Sequence, residues 1–380
     1  MSAEAHPSTS PRRIRILVVD DAVVVRRMVT DVLSEDPEIE VVGAAANGRI
    51  GLQKLTQVNP DLVTLDIEMP EMDGLQTLAA LRKTHPTLPV IMFSTLTERG
   101  GAATLEALSL GASDYVTKPA NVGSVALAQQ RIREELIPKV KALIRKRAHG
   151  AEPHAPSMPA PVVRPVMPSL PRLQPTTAAG PIEVLAIGVS TGGPNALAAV
   201  LPLLPAGFPV PIVLVQHMPP MFTRLLAERL DAQSKVKVVE AAGGEVLQPG
   251  VVYVAPGNFH MVVQRRGTQV VTVLNQLPPE NSCRPAVDPL FRSVSQVYGS
   301  HTLGVILTGM GQDGLRGSED IRAAGGSIIA QDEATSVVWG MPGFVVRAGL
   351  AERVLPLAAV AAELTRRCPS TSESGLRLAR

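Results

Sequence analysis

Cysteine is scarce in this 380-residue chain: Cys283 and Cys368 are its two cysteines, too few for a disulfide framework. No cluster of cysteine and histidine has the spacing of a zinc site. A reducing compartment fits this usage. Long apolar runs are lacking as well. Residues 212–215 are typical of those present, far short of the ~20 residues a membrane-spanning helix needs. Residues 1–11 are polar and hold no apolar stretch of a secretory signal. The expected setting is therefore cytoplasmic, without membrane insertion. Charge of one sign is missing too. Lys and Arg number 36 against 34 Asp and Glu, so the net charge is +2 and no nucleic-acid footprint is visible.

What is present is ordinary globular material, 45% hydrophobic and 18% charged, and its length exceeds one ordinary core. Short β-branched runs at 14–19, 40–44, 62–65, 89–93 and 113–116 alternate with amphipathic stretches at 23–33, 49–58, 75–83 and 102–110, and a longer one runs from 124 to about 147. Five such βα units predict a parallel sheet covered by helices on both faces. Residues 149–181 then carry nine prolines and almost no periodicity, the composition of an extended connector. From residue 182 the alternation returns, with strands expected at 184–189, 211–216, 237–240, 251–254, 303–307 and 327–330. Two β-rich runs flank Arg265-Arg266-Gly267-Thr268, a hairpin signature. The expected organisation is an α/β domain at 12–147, a linker at 148–181, a mostly parallel α/β domain with an antiparallel hairpin at 182–368, and a frayed tail at 369–380.

In an open α/β sheet, ligands gather at the carboxyl ends of strands. Asp20 and Asp21 end the first strand and Asp66 the third, so three carboxylates meet at one edge. They repel one another unless a cation lies between them, and a hard ion such as Mg²⁺ suits oxygen donors. Ser94 ends the fourth strand, and Lys118 follows the fifth, where an ammonium can hold a phosphoryl oxygen. Taken singly, Asp-Asp is equally an N-cap and Lys118-Pro119 a loop; their succession at strand ends favours a site. Leu17-Val18-Val19-Asp20-Asp21, Leu65-Asp66-Ile67-Glu68-Met69-Pro70 with Met72-Asp73-Gly74, and Tyr115-Val116-Thr117-Lys118-Pro119 resemble the receiver domain of two-component response regulators. The resemblance implies a flavodoxin-like fold and phosphorylation of Asp66 by a histidine kinase. It also implies Mg²⁺ held by Asp21, Asp66 and the carbonyl of Glu68, with Asp20 assisting, and switch positions at Ser94 and Tyr115.

The second domain presents a hydroxyl, an imidazole and a carboxylate at three strand ends. Ser190 follows 184–189 and opens Ser190-Thr191-Gly192-Gly193-Pro194-Asn195, a strand-to-helix turn whose backbone N–H groups can stabilise an oxyanion. On this segment alone, a phosphate-binding turn or a plain cap is as good a reading, although Gly188-Val189-Ser190-Thr191-Gly192 fits a nucleophile elbow. His217 follows 211–216, and Asp313 lies in the glycine-rich turn after 303–307. A base that reaches the hydroxyl and an acid that orients the base form a triad. No histidine follows Asp313, so the chain order excludes the α/β-hydrolase arrangement. His260 and His301 are rival bases, less favoured by position.

Ile187-Gly188-Val189-Ser190-Thr191-Gly192-Gly193-Pro194, Val215-Gln216-His217-Met218-Pro219, Tyr253-Val254-Ala255-Pro256-Gly257-Asn258, Asn281-Ser282-Cys283-Arg284-Pro285-Ala286-Val287-Asp288 and Leu307-Thr308-Gly309-Met310-Gly311-Gln312-Asp313-Gly314 resemble the CheB chemotaxis methylesterases. The resemblance implies a phosphorylation-activated protein-glutamate methylesterase acting on chemoreceptor cytoplasmic helices and fed by a kinase of the CheA type. It often extends to deamidation of receptor glutamines, and no cofactor is expected for ester hydrolysis. It also implies oxyanion donors at the amides of Thr191 and Met310. Arg284 is equally a surface arginine or a contact for an acidic receptor face. A transcriptional regulator would need a helix-turn-helix and a basic surface. A non-catalytic adaptor is separated from an enzyme only by assay.

Overall fold

The protein is described from a computed structural model covering residues 12–118, 124–149 and 181–369. Pro119, most of the expected linker and nearly all of the expected tail lie outside the described residues. The chain divides into two compact units, Met1–Arg145 and Lys146–Arg380.

The first unit runs β1 (Ile14–Val19), α1 (Val23–Ser34), β2 (Ile39–Ala45), α2 (Gly48–Val58), β3 (Leu62–Asp66), α3 (Gly74–Thr84), β4 (Val90–Ser94), α4 (Glu98–Ser109), β5 (Asp114–Thr117) and α5 (Val125–His149). Its five strands are parallel in the order β2-β1-β3-β4-β5. The order reverses between β1 and β3, which opens a crevice at their carboxyl ends. β3 and β4 are buried along their whole length, as expected of strands covered on both faces. Helix starts follow side-chain chemistry. Asn47 accepts from the Ile50 amide, Thr97 from the Gly100 amide, and Asp73 forms a capping box with Gln76. Gly74 has a steric reason: a Cβ there would lie 2.2 Å from the Asp66 carbonyl oxygen, so only glycine lets α3 start this close to the β3 tip.

The second unit runs β6 (Val184–Val189), α6 (Gly193–Val200), β7 (Ile212–Gln216), α7 (Phe222–Gln233), β8 (Lys237–Glu240), β9 (Val251–Val254), β10 (His260–Arg266), β11 (Gln269–Asn275), α8 (Val287–Tyr298), β12 (Thr302–Ile306), α9 (Leu315–Ala323), β13 (Ser327–Gln331), α10 (Met341–Arg347), β14 (Arg353–Leu355) and α11 (Leu357–Arg367). Seven strands form one parallel sheet in the order β14-β13-β12-β6-β7-β9-β8. β14 has no counterpart among the strands expected from sequence. It has three residues, and its pairing to β13, not an apolar run, makes it a strand. β10 and β11 form a separate antiparallel pair that closes at Gly267-Thr268, with Gly267 at φ +61°. This hairpin is fastened to α8, where Ser293 Oγ accepts from the Val263 amide at 3.0 Å. Phe291 drives α8 onto the sheet. It is fully buried, and burying such a ring is worth about 1.5–3 kcal/mol. That anchoring aims the first turn of α8 at the tip of β12.

Candidate active site

β6 lies centrally, paired to β7 on one side and β12 on the other, so the three tips that carry Ser190, His217 and Asp313 are neighbours. Val189 pairs with Gln216, and the next residue on each strand is Ser190 and His217. Adjacent strands are about 5 Å apart, so the two residues start from neighbouring positions. The Ser190 amide donates to the Thr308 carbonyl at 3.0 Å, and the His217 amide to the Val189 carbonyl at 3.3 Å. Buried Gln216 ties both turns, its Nε2 donating to the carbonyls of Ser190 at 3.1 Å and His217 at 3.2 Å. A Cβ on Gly193 would lie 1.9 Å from Gln216 Oε1, so this packing requires glycine. Ser190 itself is half-buried at the end of β6.

His217 Nε2 lies 2.7 Å from Asp313 Oδ2. Burial alone would push the imidazole pKa down. Charge at the neighbouring Cys283 and Asp313 side chains, with hydrogen bonds to both, outweighs it, and the net shift is upward. Asp313 is 2% exposed. Burial opposes its ionisation, but His217 and the surrounding amides hold its carboxyl below the usual range. Oδ2 also accepts from the Val287 amide at 2.6 Å. Oδ1 accepts from Asn281 Nδ2 at 3.0 Å, the Asp288 amide at 3.1 Å and the Gly314 amide at 3.0 Å. The carboxylate is thus held rigidly, in one orientation toward the ring.

Thr191 follows Ser190 in the chain, and Met310 follows Gly309, which packs against Ser190. Thr308 Oγ1 donates to the Thr191 carbonyl at 2.9 Å, joining the two loops. A Cβ on Gly309 would lie 2.9 Å from Ser190 Cβ. Among the described residues the amides of Thr191 and Met310 have no backbone partner.

Asn281, Cys283 and Asp288 carry no role that the sequence pattern assigns, and the structure brings all three to the His217–Asp313 pair. They could not have been found from spacing, because they act through a loop with left-handed turns at Asn281 and Ser282. Arg284 is not a free surface arginine. Its guanidinium donates to Asn258 Oδ1 and to the carbonyls of Gln276 and Leu277, so it clamps two loops. His260 is buried between the Pro278 carbonyl and the Ala286 amide. His301 contacts the Pro181 carbonyl. Neither of the two faces Ser190.

In the first unit, carboxylate oxygens of Asp20, Asp21 and Asp66 lie within 4.8 Å of one another. Lys118 Nζ sits 3.1 Å from Asp20 and 2.6 Å from Asp66. Burial first, and then the charge of Asp20, push the Asp66 pKa up to about 6. Three converging oxygens that repel one another suit a hard divalent cation. The Glu68 amide reaches toward Asp66 Oδ1 at 3.4 Å. Ser94 is not aimed at Asp66: its hydroxyl donates to the Gly100 carbonyl and accepts from Thr104 on α4. Tyr115 is buried, with Lys139 Nζ 5.2 Å from its ring centre. Among the described residues no helix is long and apolar enough to cross a membrane.

The CheB methylesterase family model matches residues 185–364, and the response regulator receiver domain model matches residues 16–128. A protein-glutamate methylesterase/protein-glutamine glutaminase of Trichodesmium erythraeum is 53% identical over 356 residues, 93% of this chain and 99% of that protein. A protein of the same name from a Nocardioides species is 54% identical over 357 residues, 93% of this chain and 95% of that one. The CheB methylesterase catalytic domain of Thermotoga maritima, a crystal structure, shares 45% identity over 49% of this chain and 98% of its own, with a TM-score of 0.48.

Proposed function

This chain belongs to the CheB methylesterase family, and from that premise we propose that it hydrolyses glutamate methyl esters on chemoreceptor cytoplasmic helices, under control of phosphorylation at Asp66. The observation that carries the reading is the 2.7 Å contact between His217 and Asp313, one strand away from Ser190. With Nε2 engaged by Asp313, Nδ1 is the ring nitrogen that serves Ser190. Ser190 Oγ attacks the ester carbonyl and His217 takes its proton. The oxyanion is held by the amides of Thr191 and Met310, donors typically worth about 10²–10³ in rate each. His217 then protonates departing methanol, and water, deprotonated by the same imidazole, releases the glutamate. A glutamine side chain gives the same acyl-enzyme with ammonia leaving, so deamidation requires no further residue.

In the receiver unit, Asp66 accepts a phosphoryl group from a histidine kinase of the CheA type, and Lys118 holds one of its oxygens. Asp20, Asp21, Asp66 and the carbonyl of Glu68 would hold Mg²⁺, which supplies charge neutralisation during phosphoryl transfer. Phosphorylation acts by biasing two packings of the chain. The protein works in the cytoplasm. Measuring methanol released from methylated receptor, with and without a small-molecule phosphodonor, tests the reading. Release that rises with the phosphodonor supports it, and no release under either condition makes the chain an adaptor.

A further inference from the structure

Asp288 takes no part in the bond-making steps, yet it is 2% exposed and touches the triad carboxylate. Its Oδ1 accepts from the Gly317 amide on α9 at 2.8 Å. Its Oδ2 accepts from Asn281 Nδ2 at 2.9 Å, and the same nitrogen donates to Asp313 Oδ1 at 3.0 Å. The Asp288 backbone amide donates to that oxygen too, at 3.1 Å. Asp288 therefore meets Asp313 in three ways: through its own amide, through Asn281, and through a hydrogen bond between the two carboxyl groups. We infer that Asp288 is a positioning residue of the triad: with Asn281 it fixes the Asp313 carboxylate, and its own charge deepens the negative field that the His217 imidazolium meets.

A residue needed only to tie α9 would use the Gly317 contact and could be neutral. Here a second buried carboxyl is set beside the first, which is costly unless the pair has a use. The two are driven apart in acidity. Burial first, and then the neighbouring Asp313, raise the Asp288 pKa to about 6, while Asp313 is held low. Such a separation is the pattern by which paired carboxyls take different roles. The charged groups around Asp288 are Asp313 on the turn after β12, His217 beyond it, and Arg292 one turn along α8. Arg292 is itself held by Glu280 in the preceding loop and by Asp320 on α9. Above about pH 6 the carboxyl pair carries two charges behind the imidazole, and below it one. The second charge favours the imidazolium formed as Ser190 attacks.

This inference rests on the triad reading, and its test is independent of turnover. Histidine-labelled full chain is titrated by NMR, with the His217 ring signals assigned from a His217→Asn sample. In the unmutated chain the His217 signals should show an inflection near pH 6 that is absent in Asp288→Asn. The midpoint of His217 itself should fall by about one pH unit in that variant. A flat His217 response between about pH 5 and 7 in the unmutated chain overturns the inference and needs no variant to fold. So does an Asp288→Asn midpoint that stays in place while the melting temperature drops, which would make Asp288 a tie for α9 only. Loss of the triad reading shows separately, as methanol release that survives Ser190→Ala.

Discussion

Asp313→Asn removes one charge and replaces an acceptor oxygen by a donor. Asp313 accepts hydrogen bonds from His217, Val287, Asn281, Asp288 and Gly314, two on Oδ2 and three on Oδ1. An asparagine has one acceptor oxygen, so its NH₂ must face donors whichever way it turns. Turned toward Oδ1 it meets three N–H groups, so the less crowded choice sets it against His217 and Val287. His217 must then present a bare Nε2 and carry its proton on Nδ1, the nitrogen that has to accept from Ser190. The charge itself is worth about 4 kcal/mol for an imidazolium ~4 Å away at an effective dielectric of about 20, or about 10³ in rate. The wrong tautomer adds to this, and the corresponding change in a serine protease triad slows turnover by about 10⁴. Turnover at saturating substrate should therefore fall by roughly three to four orders of magnitude, with KM little changed. Facing donors without acceptors costs about 1–3 kcal/mol of stability, offset in part by relief of the repulsion with Asp288. The assay is methanol release from saturating methylated receptor in the presence of a phosphodonor, with a melting curve as control. A folded variant that loses less than about tenfold would refute the assignment of Asp313.

Ser190→Ala should abolish methanol release while phosphorylation of Asp66, followed with labelled phosphodonor, proceeds unchanged; persistent release would move the nucleophile elsewhere. The His217 pKa lies above the ordinary 6.5, and only the neutral ring acts as base, so kcat/KM should fall as pH drops, along a limb that begins above pH 6.5; a limb centred below about 6 contradicts the shift. The Asp66 pKa is raised from 3.8 to about 6, so its protonation stabilises the fold below pH 3.8 and that contribution is lost as pH rises through 6. Asp66→Asn should therefore stabilise the chain at about pH 8 without Mg²⁺ by on the order of 1–3 kcal/mol, and should weaken the response of the melting temperature to Mg²⁺; equal melting curves under those conditions would show that the carboxyl cluster is not strained. Deleting residues 1–146 should raise esterase activity above that of the unphosphorylated full chain, and a truncated domain no more active than the whole defeats an inhibitory receiver.

Much of this molecule was legible in the order of its residues. Short β-branched runs alternating with amphipathic stretches specify parallel βα units, because a strand covered on both faces must be apolar throughout. Ser190, His217 and Asp313 could be placed together because each follows such a run, and parallel strands deliver their carboxyl ends to one edge. The same reasoning brought Asp20, Asp21 and Asp66 into reach of Lys118. β14 was not legible, since three residues at a sheet edge carry no periodicity of their own. The direction of the Ser94 hydroxyl was not legible either: it turns to Thr104 and Gly100, a choice made by the packing of α4 against β4.

The sequence by itself determined every strand but β14, the parallel sense of the two main sheets and the three side chains at adjacent strand tips, because those follow from local pattern and from the handedness of βα crossovers. Only the tertiary structure decided what stands behind the triad. Asn281 reaches Asp313 from 32 residues away and Asp288 from 25, across a loop whose left-handed turns have no periodic signature. Hydrogen bonds at such separations depend on how α8 is seated by Phe291 against the sheet, and that seating is a property of the assembled core, which no single segment contains.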